Sequence, residues 1–305
     1  MRDAFFDRLY ELALSDRRIM VVAADMGAPS LDKFRRDLAQ QFINIGIAEE
    51  AMVTVAVGLA LSGKKVYTYA IMPFATLRCF EALKVNVSLM NVPVTIVGVG
   101  AGFSYDDSGP THHATEDLSV MRVLPNFVIY NPSDSFLAAR CADMSYNLSV
   151  PCYVRLDRKV LPTVRTKAFD IAAGYRIISS AKDGYLLATG NMVHQAVKIA
   201  GILSKKSIDV GVIDIFRIKP INEEILVDIS SKVAWLATLE EHLLAGGFGS
   251  SVAEVLVDRR ISTPLKRIGL AEKYYYEYGG RGYIRSVCHL TPEIVAMEIR
   301  KWLRD

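Results

Sequence analysis

Cysteine is scarce in this chain of 305 residues: Cys79, Cys141, Cys152 and Cys288 lie far apart, with no paired spacing. That argues against a disulfide framework or a zinc site built from close-set thiols, and it fits reduced cysteines in a cytoplasmic protein. Long apolar runs are also missing. The apolar stretches are strand-length or broken by polar residues, which argues against a membrane span. Neither sign of charge dominates, with 36 Lys and Arg against 33 Asp and Glu. No basic cluster with interleaved aromatics occurs, so no nucleic-acid partner is expected. Met1–Asp7 carries charges of both signs and no signal-like apolar core. Low-complexity tracts and repeats of solenoid period are absent.

What remains is half hydrophobic, at 51%, and long enough for two cores. Short β-branched runs alternate with helical patterns. Ile19–Ala24, Val66–Ala70, Val94–Val99, Phe127–Tyr130 and Cys152–Leu156 read as buried parallel strands. A second set follows at Tyr185–Thr189, Val210–Ile215, Val233–Leu239 and Leu265–Ile268. This predicts an α/β fold of two domains, each a mostly parallel sheet flanked by helices. The first domain is assigned to residues 1–165 and the second to 184–305, joined by a charged connection at 166–183.

The segment Phe42–Glu50 ends in two carboxylates and runs straight into an apolar helix predicted over 48–62. Apolar residues recur at 51, 52, 55, 56 and 59, while Val53, Val57, Ala60 and Leu61 fill the other side. A helix apolar nearly all round is buried in a core or against another subunit. Carboxylates at its first turn suit the helix dipole. In dry surroundings they become candidates for proton chemistry. A solvated first turn is the other reading.

Ligands of open parallel sheets sit beyond the carboxyl ends of the strands. Three loops at such places are chemically unusual: Ala24–Ser30, Ile71–Phe74, and Gly100–His113 with two adjacent histidines and two aspartates. Gly100 and Gly102 permit close backbone approach without making a dinucleotide fingerprint. Three readings of the third loop stand. A histidine there can do acid–base work near neutral pH. Asp106, Asp107 and His112 can form an isolated hydrated metal site. Asp and Ser side chains can simply stabilise a surface turn.

Taken together, these motifs resemble those of the transketolase family. Phe42–Glu50, with its Asn-Ile-Gly-Ile-Ala-Glu core, is similar to the segment carrying the cofactor-activating glutamate. Gly109-Pro110-Thr111-His112, followed by Glu116-Asp117, resembles the substrate-histidine loop. Ala24–Ser30 is similar to a third motif near the cofactor and the donor sugar. Val210–Pro220 and Gly246–Ser250 resemble the carboxy-terminal domain. The resemblance covers essentially the whole chain, in order. It implies a pyrimidine-binding domain followed by a transketolase carboxy-terminal domain.

It also implies thiamine diphosphate as cofactor and transfer of a two-carbon ketol unit from a ketose to an aldose. Glu49 then matches the glutamate that holds the aminopyrimidine, and Asp25 falls in the motif near the cofactor. Tyr69 and Phe74 are candidates to pack on the pyrimidine, or else ordinary core aromatics. His112 matches the histidine that touches the sugar and aids proton transfer. Arg155 matches an arginine gripping a substrate phosphate, a task suited to its guanidinium fork; a structural ion pair is the alternative. Ser30 and Ser108 are further substrate candidates. Ser108 stands where the family has aspartate, and Gly100 where it has a histidine. These departures should change which sugar fits.

The resemblance has a missing half. Family members hold the diphosphate through magnesium on a Gly-Asp-Gly motif, which this sequence lacks. The expectation is therefore the carboxy-terminal subunit of a split transketolase. Its partner, an N-terminal subunit carrying Gly-Asp-Gly, would supply the magnesium contacts in a two-plus-two heterotetramer acting on sugars or sugar phosphates. Rival expectations are the beta subunit of a 2-oxoacid dehydrogenase decarboxylase, part of a 1-deoxyxylulose-5-phosphate synthase-like enzyme, and a non-catalytic binding subunit.

Overall fold

The computed structural model describes residues 1–305. Its first sheet contains β1 (Ile19–Ala23), β2 (Phe42–Asn44), β3 (Lys65–Ile71), β4 (Val94–Val99), β5 (Val128–Tyr130) and β6 (Cys152–Leu156). The helices among them are α1 (Arg2–Ser15), α2 (Pro29–Asp37), α3 (Glu49–Leu61), α4 (Met72–Thr76), α5 (Phe80–Ala82), α6 (Asp117–Arg122) and α7 (Ser135–Tyr146). A π-helical turn, Leu83–Leu89, continues α5. In the second domain β7 (Tyr175–Ser179), β8 (Gly184–Ala188), β9 (Val210–Ile215), β10 (Arg217–Lys219), β11 (Trp235–Leu243) and β12 (Leu265–Leu270) alternate with helices. Those helices are α8 (Met192–Ser204), α9 (Glu223–Ser230), α10 (Phe248–Asp258), α11 (Arg281–Val287) and α12 (Pro292–Trp302).

Sheet order is β10-β5-β6-β4-β3-β1-β2 in the first domain and β12-β11-β8-β9-β7 in the second. All neighbours are parallel except two edge strands, β10 against β5 and β7 against β9. Strand β10 belongs by sequence to the second domain yet completes the first sheet. The connection expected at 166–183 also needs correcting, since it contains β7. That strand is an exposed edge, so its sequence lacks the apolar run of a central strand.

Period-two alternation divides the first sheet's contacts. Met20 and Val22 of β1 enter one core with α3, while Ile19, Val21 and Ala23 enter another with α1 and α2. The α3-side core is continuous with Tyr185, Leu187, Ile213 and Ile215 of the second sheet. The two domains therefore share one apolar interior. The far face of the second sheet packs on α8 and α12.

Helix α3 is half as buried as its composition suggested. Met52, Val53, Ala56 and Val57 face the core, whereas Ala51, Thr54 and Gly58 are exposed and Leu61 is 64% exposed.

Candidate active site

The candidate site is built along the carboxyl ends of β1, β3, β4 and β6, where an open parallel sheet leaves room for a ligand. Beyond β1, Asp25 and Asn44 brace each other. The Asp25 backbone N–H donates to Asn44 Oδ1 at 3.0 Å, and Asn44 Nδ2 donates to the Asp25 carboxylate at 3.1 Å. The same Asn44 oxygen accepts from the Gly46 N–H, at 3.1 Å, which fixes the turn into α3. Asp25 is exposed and Glu50 points to solvent. Glu49 is 4% exposed and opens on a cleft of 650 Å³ lined by Ile47, Ala51, Val55 and Arg78.

Arg78 was not anticipated. Its Nη1 donates to Glu49 Oε2 at 2.7 Å, and its guanidinium lies 4.1 Å from the centre of the Phe74 ring. Both residues follow from α4 and its next turn, where positions four apart share a face. The Phe74 ring stands edge-on to His112 at 5.1 Å, and His112 lies 5.9 Å from Tyr105. The His112 Nδ1 pairs with Thr111 Oγ1 at 3.0 Å. A continuous strip thus runs Glu49, Arg78, Phe74, His112, Tyr105.

Arg158 ends the strip. Its guanidinium sits 4.8 Å above Tyr105 and approaches Asp107 only at 3.7 Å. At 44% exposed, it is the open cation of the substrate loop. Its place just past the carboxyl end of β6 is the signal that could have found it.

Three residues named from the sequence lie elsewhere. Arg155 shares a face of β6 with Tyr153 and is buried at 3%. Its Nε and Nη2 clasp Asp117 at 2.8 and 3.1 Å, and Nη2 also donates to the Ala114 carbonyl at 2.8 Å. Buried and clasped to Asp117, it takes the place of a structural ion pair. Tyr69 points to the α1 side of β3, away from α3, and packs edge-on against Phe6 at 4.9 Å. It is a core aromatic, because strand alternation puts it on the wrong side of the sheet. Ser30 is 2% exposed and donates to Asp3 at 3.1 Å, an inner brace of α2. Ser108 stays on the loop, donating to Asp107 at 2.9 Å.

The loop is held from behind by buried charge. Arg281 donates to Asp157 and to Glu241, each at 2.6 Å, and to the Ala101 carbonyl at 3.0 Å. Glu241 also accepts from Arg285 at 2.6 Å and from the Phe103 N–H at 2.9 Å. Burial alone would raise the Glu241 carboxyl, but Arg281 and Arg285 outweigh it and bring it down to about 2. Nearby, His242 Nε2 accepts from the Leu118 N–H at 3.1 Å, and burial lowers this imidazole to about 4. Burial likewise lifts Glu240 to about 7, although it accepts N–H bonds from Phe248 and Gly249. No group of three or more His, Cys, Asp or Glu side chains is arranged to hold a metal ion.

Residues 1–163 match the transketolase pyrimidine-binding domain, and residues 174–281 match the transketolase C-terminal domain. The chain belongs to the transketolase family. It is 34% identical to one of the subunits of the apulose-4-phosphate transketolase of Actinobacillus succinogenes, over 88% of this chain and 86% of that one. It is 32% identical to 1-deoxy-D-xylulose-5-phosphate synthase of Gloeobacter violaceus, covering 98% of this chain but only 47% of the synthase. Among solved structures it superposes on a split-gene transketolase described as an inactive beta4 tetramer. There the TM-score is 0.87 at 29% identity, covering 98% and 96% of the two chains.

Transketolases depend on thiamine diphosphate, and the strip fits the aminopyrimidine part of it. A carboxylate buried on one side and open on the other stands beside an aromatic ring and apolar walls.

Proposed function

We propose that this chain is the carboxy-terminal subunit of a split, thiamine diphosphate-dependent transketolase, moving a two-carbon ketol unit from a ketose to an aldose. The observation that carries the proposal is the strip itself: a sheltered Glu49 joined through Arg78 and Phe74 to His112. When bound, the cofactor supplies a carbon nucleophile that carries the ketol unit. Glu49 would hold the ring nitrogen of the aminopyrimidine, with Phe74 offering its face. For Phe74 to offer its face, the Arg78 guanidinium, 47% exposed, would have to move off that ring. His112 would hold or release the proton of a sugar hydroxyl. Arg158 takes the anion-gripping role first given to Arg155. A phosphate in the substrate suits its guanidinium, and the relative from Actinobacillus succinogenes is named for a phosphorylated ketose.

The diphosphate and magnesium would be held by an N-terminal partner subunit bearing Gly-Asp-Gly, in a two-plus-two heterotetramer. The outward side of α3 and the π-helical turn beside it support a covered surface here. Ile47 is 77% exposed, Leu61 64% and Leu89 78%, apolar side chains of the kind an interface covers. A cytoplasmic setting is supported by four unpaired, buried cysteines. No helix is long and apolar enough to cross a membrane.

The test is calorimetry of thiamine diphosphate with magnesium, on this chain alone and after mixing with the companion polypeptide, followed by a ketose-plus-aldose assay. Binding and ketol transfer are expected only in the mixture. Tight, magnesium-dependent binding by this chain alone defeats the split-site proposal. Carbon dioxide release from pyruvate in place of ketol transfer favours the synthase or decarboxylase reading. In the mixture, Glu49→Ala should lower ketol transfer by orders of magnitude, and unchanged activity leaves only a binding subunit.

A further inference from the structure

The second domain does more than back the substrate loop; one of its side chains stands against the turn that carries His112. The segment Lys273–Gly280 is irregular, and burial alternates along its tyrosines. Tyr275 is buried, whereas Tyr274, Tyr276 and Tyr278 are 63%, 70% and 61% exposed. Tyr275 turns inward, edge-on to Phe103 at 5.5 Å. At the other end, the Arg281 N–H donates to Asp106 Oδ2 at 2.8 Å, and the Arg281 side chain is locked in the buried charge cluster. The segment is therefore pinned to the substrate loop on both sides of Tyr278.

Tyr278 meets that loop at Gly109. A Cβ at position 109 would come within 2.8 Å of the Tyr278 hydroxyl oxygen, and Gly109 has a left-handed φ of +73°. The backbone favours glycine here, and the phenol leaves little room for a side chain unless it moves. Gly109 also closes the turn: its carbonyl accepts from the His112 N–H at 3.0 Å and from the His113 N–H at 3.2 Å. Movement of Gly109 is movement of His112. A tyrosine so placed, with most of its ring in water and no hydrogen bond from its hydroxyl within the chain, is not explained by packing.

We propose that Tyr278 is a positioning and specificity-determining residue: it props the Gly109–His112 turn from the second domain and walls the site's mouth on that side, excluding bulky substrates. The inference rests on the transketolase reading above. It adds a contribution from a domain that otherwise only supports the site.

The experiment uses the reconstituted two-subunit enzyme, with a series of aldehyde acceptors of increasing chain length and one fixed ketose donor. For Tyr278→Ala, kcat should fall about tenfold for every acceptor as the turn carrying His112 loosens. The preference for short over long acceptors should fall by about tenfold, within the range a pocket wall supplies. Tyr278→Phe should keep the size preference, because the ring remains. Thermal unfolding of each variant serves as control. If Tyr278→Ala misfolds, Tyr278→Leu takes its place in the series. An unchanged acceptor preference in a folded variant overturns the proposal, as does a kcat unchanged for every acceptor. Failure of the unmodified enzyme to transfer ketol units to any acceptor instead overturns the transketolase reading itself.

Discussion

Replacing Arg281 with methionine removes the cation that joins two buried carboxylates behind the substrate loop. Asp157 and Glu241 each lie 2.6 Å from its guanidinium, and both are almost fully buried. Removing one partner of a buried ion pair costs about 3–5 kcal/mol, chiefly because charge is left without compensation. Glu241 keeps Arg285 and the Phe103 N–H, and Asp157 keeps Ser104 and Asn191. The loss should therefore lie near the lower end, about 3 kcal/mol, or a fall in Tm of roughly 5–10 °C for a chain of this size.

The pH dependence gives a second handle. The folded Glu241 carboxyl, at about 2, lies below its ordinary 4.5. Its contribution is present above 4.5 and is lost as pH falls from there through about 2. Without Arg281 the Glu241 carboxyl takes up a proton more readily, so the variant's deficit should shrink on acidification. Denaturant unfolding of parent and Arg281→Met chains at pH 7 and pH 4 measures both effects. A deficit below about 1 kcal/mol at pH 7, or one that does not shrink at pH 4, refutes the claim that this cation is structural.

In the reconstituted enzyme, His112→Ala should lower kcat by about 10²–10⁴, the range of a general acid–base group; a loss of only a few-fold in steady-state ketol transfer makes it a positioning residue. Arg158→Met should raise KM about tenfold or more for a phosphorylated sugar, since a charged hydrogen bond is worth about 1.5–3 kcal/mol, and should leave the unphosphorylated sugar nearly unaffected. Equal losses on the two sugars would remove Arg158 from phosphate recognition. His242 and Glu240 should oppose each other in stability. The imidazole, lowered to about 4, costs stability as pH falls below 6.5, while the carboxyl, raised to about 7, costs stability as pH rises above 4.5. His242→Gln should therefore expose a fall in Tm between pH 4.5 and 7 that the parent largely masks, and a flat Tm in the variant would contradict the assignment.

The central strands were legible in the sequence because burial on both faces writes a nearly continuous apolar run, as in Ile19–Ala23 and Val94–Val99. The edges were not. Strands β2 and β10 have three residues each, too few to set a period, and β7 alternates buried and exposed positions within a charged stretch. The resemblance to transketolases singled out Glu49 and His112, and the fold brings them onto one strip. It did not tell Arg155 from Arg158. Facing decides between those two: Arg155 shares the inward side with Tyr153, while Arg158 lies past the strand. Strand parity likewise turns Tyr69 away, whereas Phe74 lies past the strand on α4. The part played by Tyr278 was out of reach, because it depends on a contact between segments 169 positions apart, Gly109 and Tyr278.

Strand β10 has a mechanical corollary. Residues 217–219 hydrogen-bond to β5 from the far side of the chain's midpoint, so a cut in the connection near residue 170 frees neither half cleanly. The amino-terminal piece would lose its rim and bare the backbone of β5, an invitation to pair with other chains. Proteolytic fragments should therefore remain associated, or precipitate once separated, and melting of the intact polypeptide should be a single cooperative event.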